Sequence, residues 1–118
     1  MRRDLLLLGE MIEAAERAQQ LVVGADLATL TADLQRREAL LWNFTVLGEA
    51  AAQLDDRVMG RFPEVPWSRP IGLRNRIVHG YWSIDMEVLH TTSTDLLPGF
   101  VEQLRRVVEA LGADEDAD

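Results

Sequence analysis

A chain of 118 residues, 47% apolar and 27% charged, has room for one core and the balance of a soluble globular domain, because dividing it would leave two marginal halves. The absence of cysteine removes disulfides, thiolate metal ligands and cysteine nucleophiles, and it leaves only His79 and His90 as imidazole bases or ligands. A formal net charge of −8 argues against a protein that coats nucleic acid nonspecifically, although Asp114, Glu115, Asp116 and Asp118 crowd the last residues. A single domain over 1–112 followed by a disordered acidic tail over 113–118 is expected.

The elements follow in chain order. Met1 to Asp4 lead into just four leucines before Gly9 and Glu10, too short for a signal-peptide core or a membrane span, so a cytoplasmic protein without a membrane partner is expected. Leu5, Leu8, Ile12, Ala15 and Val22 form one stripe, with Glu13 and Arg17 an exposed pair one turn apart, and Gly24 closes this first helix. Asp26 or Thr29 can cap a short helical stretch after it. Leu40, Phe44, Leu47, Ala51 and Leu54 then mark a long second helix, which Gly48 and Ala50 to Ala52 keep slim on one side, so that another helix can approach closely.

Gly60 and Phe62-Pro63-Glu64-Val65-Pro66-Trp67 break the periodicity, predicting a loop pinned by Phe62 and Trp67. A short third helix is predicted from Ile71 to about His79, ended by Gly80. Ser83 or Asp85 can cap a fourth, with Leu89, Leu96, Phe100, Leu104, Val107 and Leu111 on one stripe and Pro98 set to kink or split it. No stretch alternates as a strand would, so the fold class is all-α.

The chemistry concentrates between Arg74 and Tyr81. Asn75 and His79 are four apart and share one helix face, Arg74 stands beside them, and Tyr81 follows just past the helix end. A guanidinium, an amide, an imidazole and a phenol at one helix terminus suit a phosphodiester. Cleaving RNA without metal needs a base for the 2′-hydroxyl, an acid for the leaving 5′-oxygen and a cation for the phosphorane. His79 fits the acid and base roles and Arg74 the phosphate clamp. One imidazole cannot be base and acid at once, and His90 lies on another helix, so a twofold dimer presenting two copies of His79 across one cleft is expected. Two histidines on different helices offer no metal-ligand spacing, and there is no glycine-rich phosphate loop, so neither a metal nor another cofactor is expected.

These residues read R-N-x-x-x-H-x-Y, which resembles the R-x-x-x-x-H-x-Y motif of HepT-like toxins, a branch of the HEPN superfamily. The likeness continues in Leu47-Gly48-Glu49-Ala50, Pro63-Glu64-Val65-Pro66-Trp67, the glycine and leucine before Arg74, and Asp95-Leu96-Leu97-Pro98, so it spans nearly the whole chain short of the acidic end. The resemblance implies an antiparallel four- to five-helix bundle, homodimeric, acting as a metal-independent endoribonuclease toxin on RNA rather than DNA. Arg74 and His79 match the catalytic positions, and Asn75 matches a supporting polar one. It further implies a partner, a minimal nucleotidyltransferase of the MntA type, that neutralises the toxin by moving AMP onto Tyr81. An adenylyl group there adds negative charge and bulk beside the site.

A strongly acidic nuclease must gather positive charge locally, because salt screens beyond about 8 Å. Arg69, Arg74 and Arg76, with Arg36 or Arg37, are therefore expected around the cleft. All the basic residues are arginine, which suits phosphate clamping but also follows from genomic base composition. Plainer roles compete for several residues. Arg76 reads as a solvated arginine or a cleft charge, His90 as structural, and Glu49 as a structural acid paired with an arginine. Trp42, Trp67 and Trp82 read as packing residues rather than base-stacking platforms, given 6% aromatic content. The competing functions are a noncatalytic module that docks a minimal nucleotidyltransferase and binds nucleotide, and a helical dimer with only an assembly role.

Overall fold

The computed structural model describes residues 2–117, with side chains as far as Asp114, and those residues form helices joined by short turns and loops, with no strand among them. The first apolar stripe winds into α1, Arg2–Val22, which buries Leu8, Met11, Ala15 and Ala18. Gly24 takes φ 70°, a conformation that a Cβ would resist, and so turns the chain out of the helix. Of the two candidate caps it is Asp26 that serves α2, Leu27–Ala32, accepting the Thr29 N–H at 2.8 Å. Asp33 does the same for α3, Leu34–Ala52, through the Arg36 N–H at 3.2 Å.

The backbone N–H of Thr29 holds the Asp26 carboxyl below its ordinary value of 3.8, because only the ionised form is a full acceptor. The help this cap gives is therefore complete above that ordinary value and is lost as pH falls below it.

Contacts at the helix ends fix the directions of the bundle. Arg3 donates from Nη1 to the Gln53 carbonyl and Arg36 from Nη1 to the Leu21 carbonyl, so α1 and α3 run antiparallel. α7, Leu97–Ala117, returns along α1 in the opposite sense, with Arg105 paired to Glu16 and Arg61 to Asp114. Phe44, Leu40, Leu104, Val107 and Leu111 fill the space between, each fully buried. At about 1.5–3 kcal/mol for each large apolar side chain, this core supplies most of the drive to fold.

The region between α3 and α5 holds an element that periodicity missed. Asp55 caps a short α4, Asp56–Arg61, by accepting the Arg57 N–H. Six residues with one buried apolar side chain, Val58, are too few to show a stripe. The proline-rich loop behaves as expected: Val65 and Trp67 are buried, and Trp67 Nε1 donates to the Phe62 carbonyl at 2.9 Å. α5, Ser68–Gly80, starts three residues before the expected Ile71, because Pro70 falls in its first turn, where a missing N–H costs nothing.

Beyond α5 the chain enters α6, Met86–Thr91, capped by Asp85 through the Glu87 N–H. α6 packs over α2, and His90 Nε2 donates to the Ala25 carbonyl at 2.9 Å, so His90 is structural. Since α2 lies at the start of α3, α5 must run antiparallel to α3.

The split expected at Pro98 is a π-helical turn, Thr92–Leu96, between α6 and α7. Its wide winding adds a residue to the turn, so the inward position passes from Leu89 through Ser93 to Leu97. Leu96, expected on the buried stripe, is instead half exposed for this reason, while Ser93 satisfies its hydroxyl on the Leu89 carbonyl.

One further expectation changes. Trp67 is buried, but Trp42 is 66% and Trp82 82% exposed, so neither packs into this chain's core. α7 continues through Ala117, and Asp114 pairs with Arg61. Glu115, Asp116 and Asp118 lie outside the described side chains. No helix among the described residues is long and apolar enough to cross a membrane.

Candidate functional site

Everything at the site depends on how closely α5 lies on α3. A Cβ built on Gly48 would stand 2.2 Å from Arg74 Cβ and 2.4 Å from the Pro70 carbonyl oxygen, distances that no side chain can occupy. Gly48 is thus the contact point of the two helices, and the slim face read from sequence is the face that α5 uses. The backbone of Arg74 is thereby held against α3, with Glu49 one residue along from the contact.

The Arg74 guanidinium is gripped from two sides. Its Nη2 lies 2.8 Å from Glu49 Oε2, and its Nη1 donates to Asn75 Oδ1 at 2.8 Å. Nε is shielded and makes no hydrogen bond. The side chain is 31% exposed, so terminal N–H groups not used by Glu49 and Asn75 face solvent. Glu49 therefore finds the arginine partner expected of it, and that partner is Arg74, the residue expected to hold phosphate. Sequence showed the acid and the arginine, but nothing in their spacing could show that they meet.

His79 stands one turn after Asn75 on the same face of α5, exposed and without a hydrogen bond among the described residues. The helix ends at Gly80, whose carbonyl accepts the Ser83 hydroxyl at 2.9 Å as the chain tightens into a 3-10 turn, Tyr81–Ser83. Tyr81 lies in that turn, 41% exposed.

The other arginines divide. Arg69, Arg76 and His79 fall at steps of seven and three along α5, so they share its outward stripe. Arg69 and Arg76 are exposed and make no ion pair among the described residues. Arg36 is spent elsewhere, paired with Asp33 and donating to Leu21, so it does not join the site. Arg37 is half buried, with its Nε shielded and unpartnered. The free positive charge near His79 thus comes from α5 itself, which is how an acidic chain can still present a cationic face.

Large apolar side chains also collect here. Val78, Tyr81 and Trp82 are exposed on and after α5. Trp42, exposed on α3, lies seven residues before Glu49 on the same stripe, toward the end of α3 that the last turn of α5 meets. On the opposite flank, α5 borders an open groove of about 710 Å³ facing the π-helical turn and the start of α7, with Arg69 and Arg76 on its α5 side. Neither the patch nor the groove could be read from the sequence, since both depend on which flanks of α5 remain uncovered. Among the described residues, no three histidine, aspartate or glutamate side chains come together to hold a metal ion.

In chemical terms, the site offers an exposed imidazole, a guanidinium held in place by a carboxylate and an amide, and two unpaired cations along one helix.

Comparison with known proteins finds relatives of the chain. A family model described as Ribonuclease HepT-like matches residues 11–107. A Methanocaldococcus jannaschii protein provisionally named an RNase is 24% identical over 86 residues, covering 72% of this chain and 71% of the relative. A Thermococcus cleftensis protein provisionally named ribonuclease HepT is 24% identical over 102 residues, covering 84% and 93%. Another M. jannaschii protein provisionally named an RNase is 36% identical over 53 residues, covering 45% and 49%. No solved structure matches the chain.

Proposed function

The chain belongs to the HepT-like ribonuclease family, and from that membership we propose that it is a metal-independent endoribonuclease, the toxin of a toxin and antitoxin pair. The observation that carries this reading is the Arg74 guanidinium, gripped by Glu49 and Asn75 at the helix face from which His79 projects. In the reaction, an imidazole takes the proton of a 2′-hydroxyl, whose oxygen attacks the adjacent phosphorus. Arg74 holds the nonbridging oxygens as charge builds on them, and an acid protonates the departing 5′-oxygen, leaving a 2′,3′-cyclic phosphate. Arg69 and Arg76 hold neighbouring phosphates of the RNA.

Base and acid are the two His79 side chains of a homodimer. What supports this pairing is the exposed apolar surface beside His79: Val78 and Trp82 on one side and Trp42 on α3 give a second copy something to bury. The reading is tested with total RNA in excess chelator. Wild-type protein is expected to cut it and leave 2′,3′-cyclic ends. Intact RNA, or cutting that stops with chelator, would sink the proposal. RNA left intact while the protein binds nucleotide and a nucleotidyltransferase would favour the noncatalytic docking module instead.

Regulation follows from the same segment. Tyr81 is the acceptor for AMP from a minimal nucleotidyltransferase of the MntA type: its hydroxyl oxygen attacks the α-phosphorus of ATP and pyrophosphate departs. Its exposure in a turn just past His79 supports this, because the hydroxyl can be reached and the product would crowd the cleft. Tyr81→Phe is expected to cut RNA but to gain no mass when incubated with the transferase and ATP. A mass gain of one adenylyl group in that variant would move the acceptor elsewhere.

Glu49 acts as the positioning residue of Arg74. Glu49→Gln is expected to lower kcat by about tenfold, a loss of about 1.4 kcal/mol, while KM stays level or falls because a negative charge has gone. A rise in kcat would mean that Glu49 merely neutralises the clamp.

A further inference from the structure

α5 is covered on one flank by α3 and bordered on the other by the groove. Leu73, Val88, Leu97 and Phe100 line that groove with apolar atoms, and its size suits a ligand of nucleotide scale. Arg69 and Arg76 also line it, and neither has an ion partner among the described residues. Asp95, on the π-helical turn opposite, is likewise exposed and unpaired there. Arg76 belongs to two places at once, since it lines the groove and sits one turn before His79 on the same stripe.

We propose that this groove is a nucleotide subsite, holding a nucleotide of single-stranded RNA one step removed from the scissile phosphate, so that neither of its flanking phosphates is the one held by Arg74. Its base lies between the apolar walls, and its two flanking phosphates rest on Arg76 and Arg69. This rests on the ribonuclease reading above and extends it. Arg69 and Arg76 are seven residues apart, about 10 Å along the helix axis, a span that two long side chains can narrow to meet successive phosphates. Apolar walls take the faces of a base, and the Asp95 carboxylate can accept from N–H groups on its edge.

Charge also argues for RNA over a second copy of the chain. The same face of another copy would bring two more arginines with only one acid, Asp95, leaving cations in excess on both sides, and an apolar helix laid in the groove would leave both arginines without a partner. An RNA strand supplies both the anion and the flat apolar body.

The test uses Gly99, which lines the groove near the start of α7 and where an added Cβ meets nothing within 4 Å. Gly99→Leu should therefore send a side chain into the slot while leaving the helix as stable or more so. The probe is a short, labelled, mixed-sequence 2′-O-methyl RNA oligonucleotide, which cannot be cut because its 2′-oxygen cannot attack. Gly99→Leu is expected to weaken its binding at least tenfold. Arg69→Ala is expected to weaken it too and to reduce the slope of log affinity against log salt by about one.

Unchanged affinity in Gly99→Leu, or in Arg69→Ala, overturns the subsite. So does a Gly99→Leu variant whose only change is its mass by light scattering, which would assign the groove to contact between copies. If the probe binds in a groove-dependent way but wild-type protein never cuts unmodified RNA, the ribonuclease reading fails and the subsite stands.

Discussion

Replacing His79 by alanine is expected to lower RNA cleavage by about 10²–10⁴-fold, the usual contribution of a general acid or base. The loss should fall on kcat, because nothing in the geometry makes the imidazole a binding group. His79 is exposed and makes no hydrogen bond among the described residues, so its removal should leave thermal stability within about 0.5 kcal/mol of wild type. That separation matters, since a loss of activity accompanied by unfolding would say nothing about chemistry.

If the protein works as the proposed dimer, a sharper form of the same experiment is available. In the proposed dimer, mixed pairs with one wild-type and one alanine copy would keep a base or an acid but not both across the shared cleft. They should therefore show far less than half the wild-type rate. Mixed dimers at half rate would mean that each copy cuts alone, and an alanine variant as fast as wild type would remove His79 from the mechanism.

Much of the bundle and part of the site were legible in the sequence, and the physical reasons are specific. The stripes of α1, α3 and α7 are long, and amphipathic periodicity over several turns survives a few exceptions. Arg74, Asn75 and His79 could be placed on one helix terminus because a helix has a known rotation per residue and Gly80 ends this one. The failures share a cause, which is that they depend on relations between elements.

Leu96 falls on the buried stripe only if a uniform 3.6-residue period runs on into α7. The π-helical turn shifted that period by one residue. Residue type alone reads Trp42 and Trp82 as packing residues, but which face of α3 and which side of the α5 terminus stay uncovered is decided by α5 packing at Gly48. Arg36 and Arg37 are adjacent in sequence yet separated in role, because Asp33 and the Leu21 carbonyl lie within reach of Arg36. Glu49 is the instructive middle case. Its need for an arginine partner followed from an acid on an alanine-lined helix, but the identity of that partner required the crossing of α3 and α5.

That crossing leads to the other large effect. Gly48→Ala is expected to destabilise the protein and to disable the site together. In an open helix position, alanine in place of glycine adds up to about 1 kcal/mol of stability. At Gly48 the new methyl group would meet Arg74 Cβ at 2.2 Å and the Pro70 carbonyl oxygen at 2.4 Å. One of those is backbone and the other is the root of a side chain, so neither can swing aside as a flexible chain end would. α5 must move away from α3 as a body, and overpacking of this kind costs about 1–3 kcal/mol.

The displacement also carries the Arg74 guanidinium away from Glu49, loosening the grip on the clamp. Misplacing a reacting group by about 1 Å can cost about 10²-fold in rate. Gly9→Ala is the matched control, since Gly9 lies in α1 with open space where its Cβ would be. The control should melt at or above the wild-type temperature and keep full activity, whereas Gly48→Ala should melt lower and lose about two orders of magnitude in kcat. Equal stability and activity in the two variants would mean that the close approach at Gly48 does not hold the clamp. A Gly48→Ala protein that melts lower yet cuts RNA at the wild-type rate would separate the packing of α5 from the chemistry of Arg74, and the link between Gly48, Glu49 and the clamp would have to be abandoned.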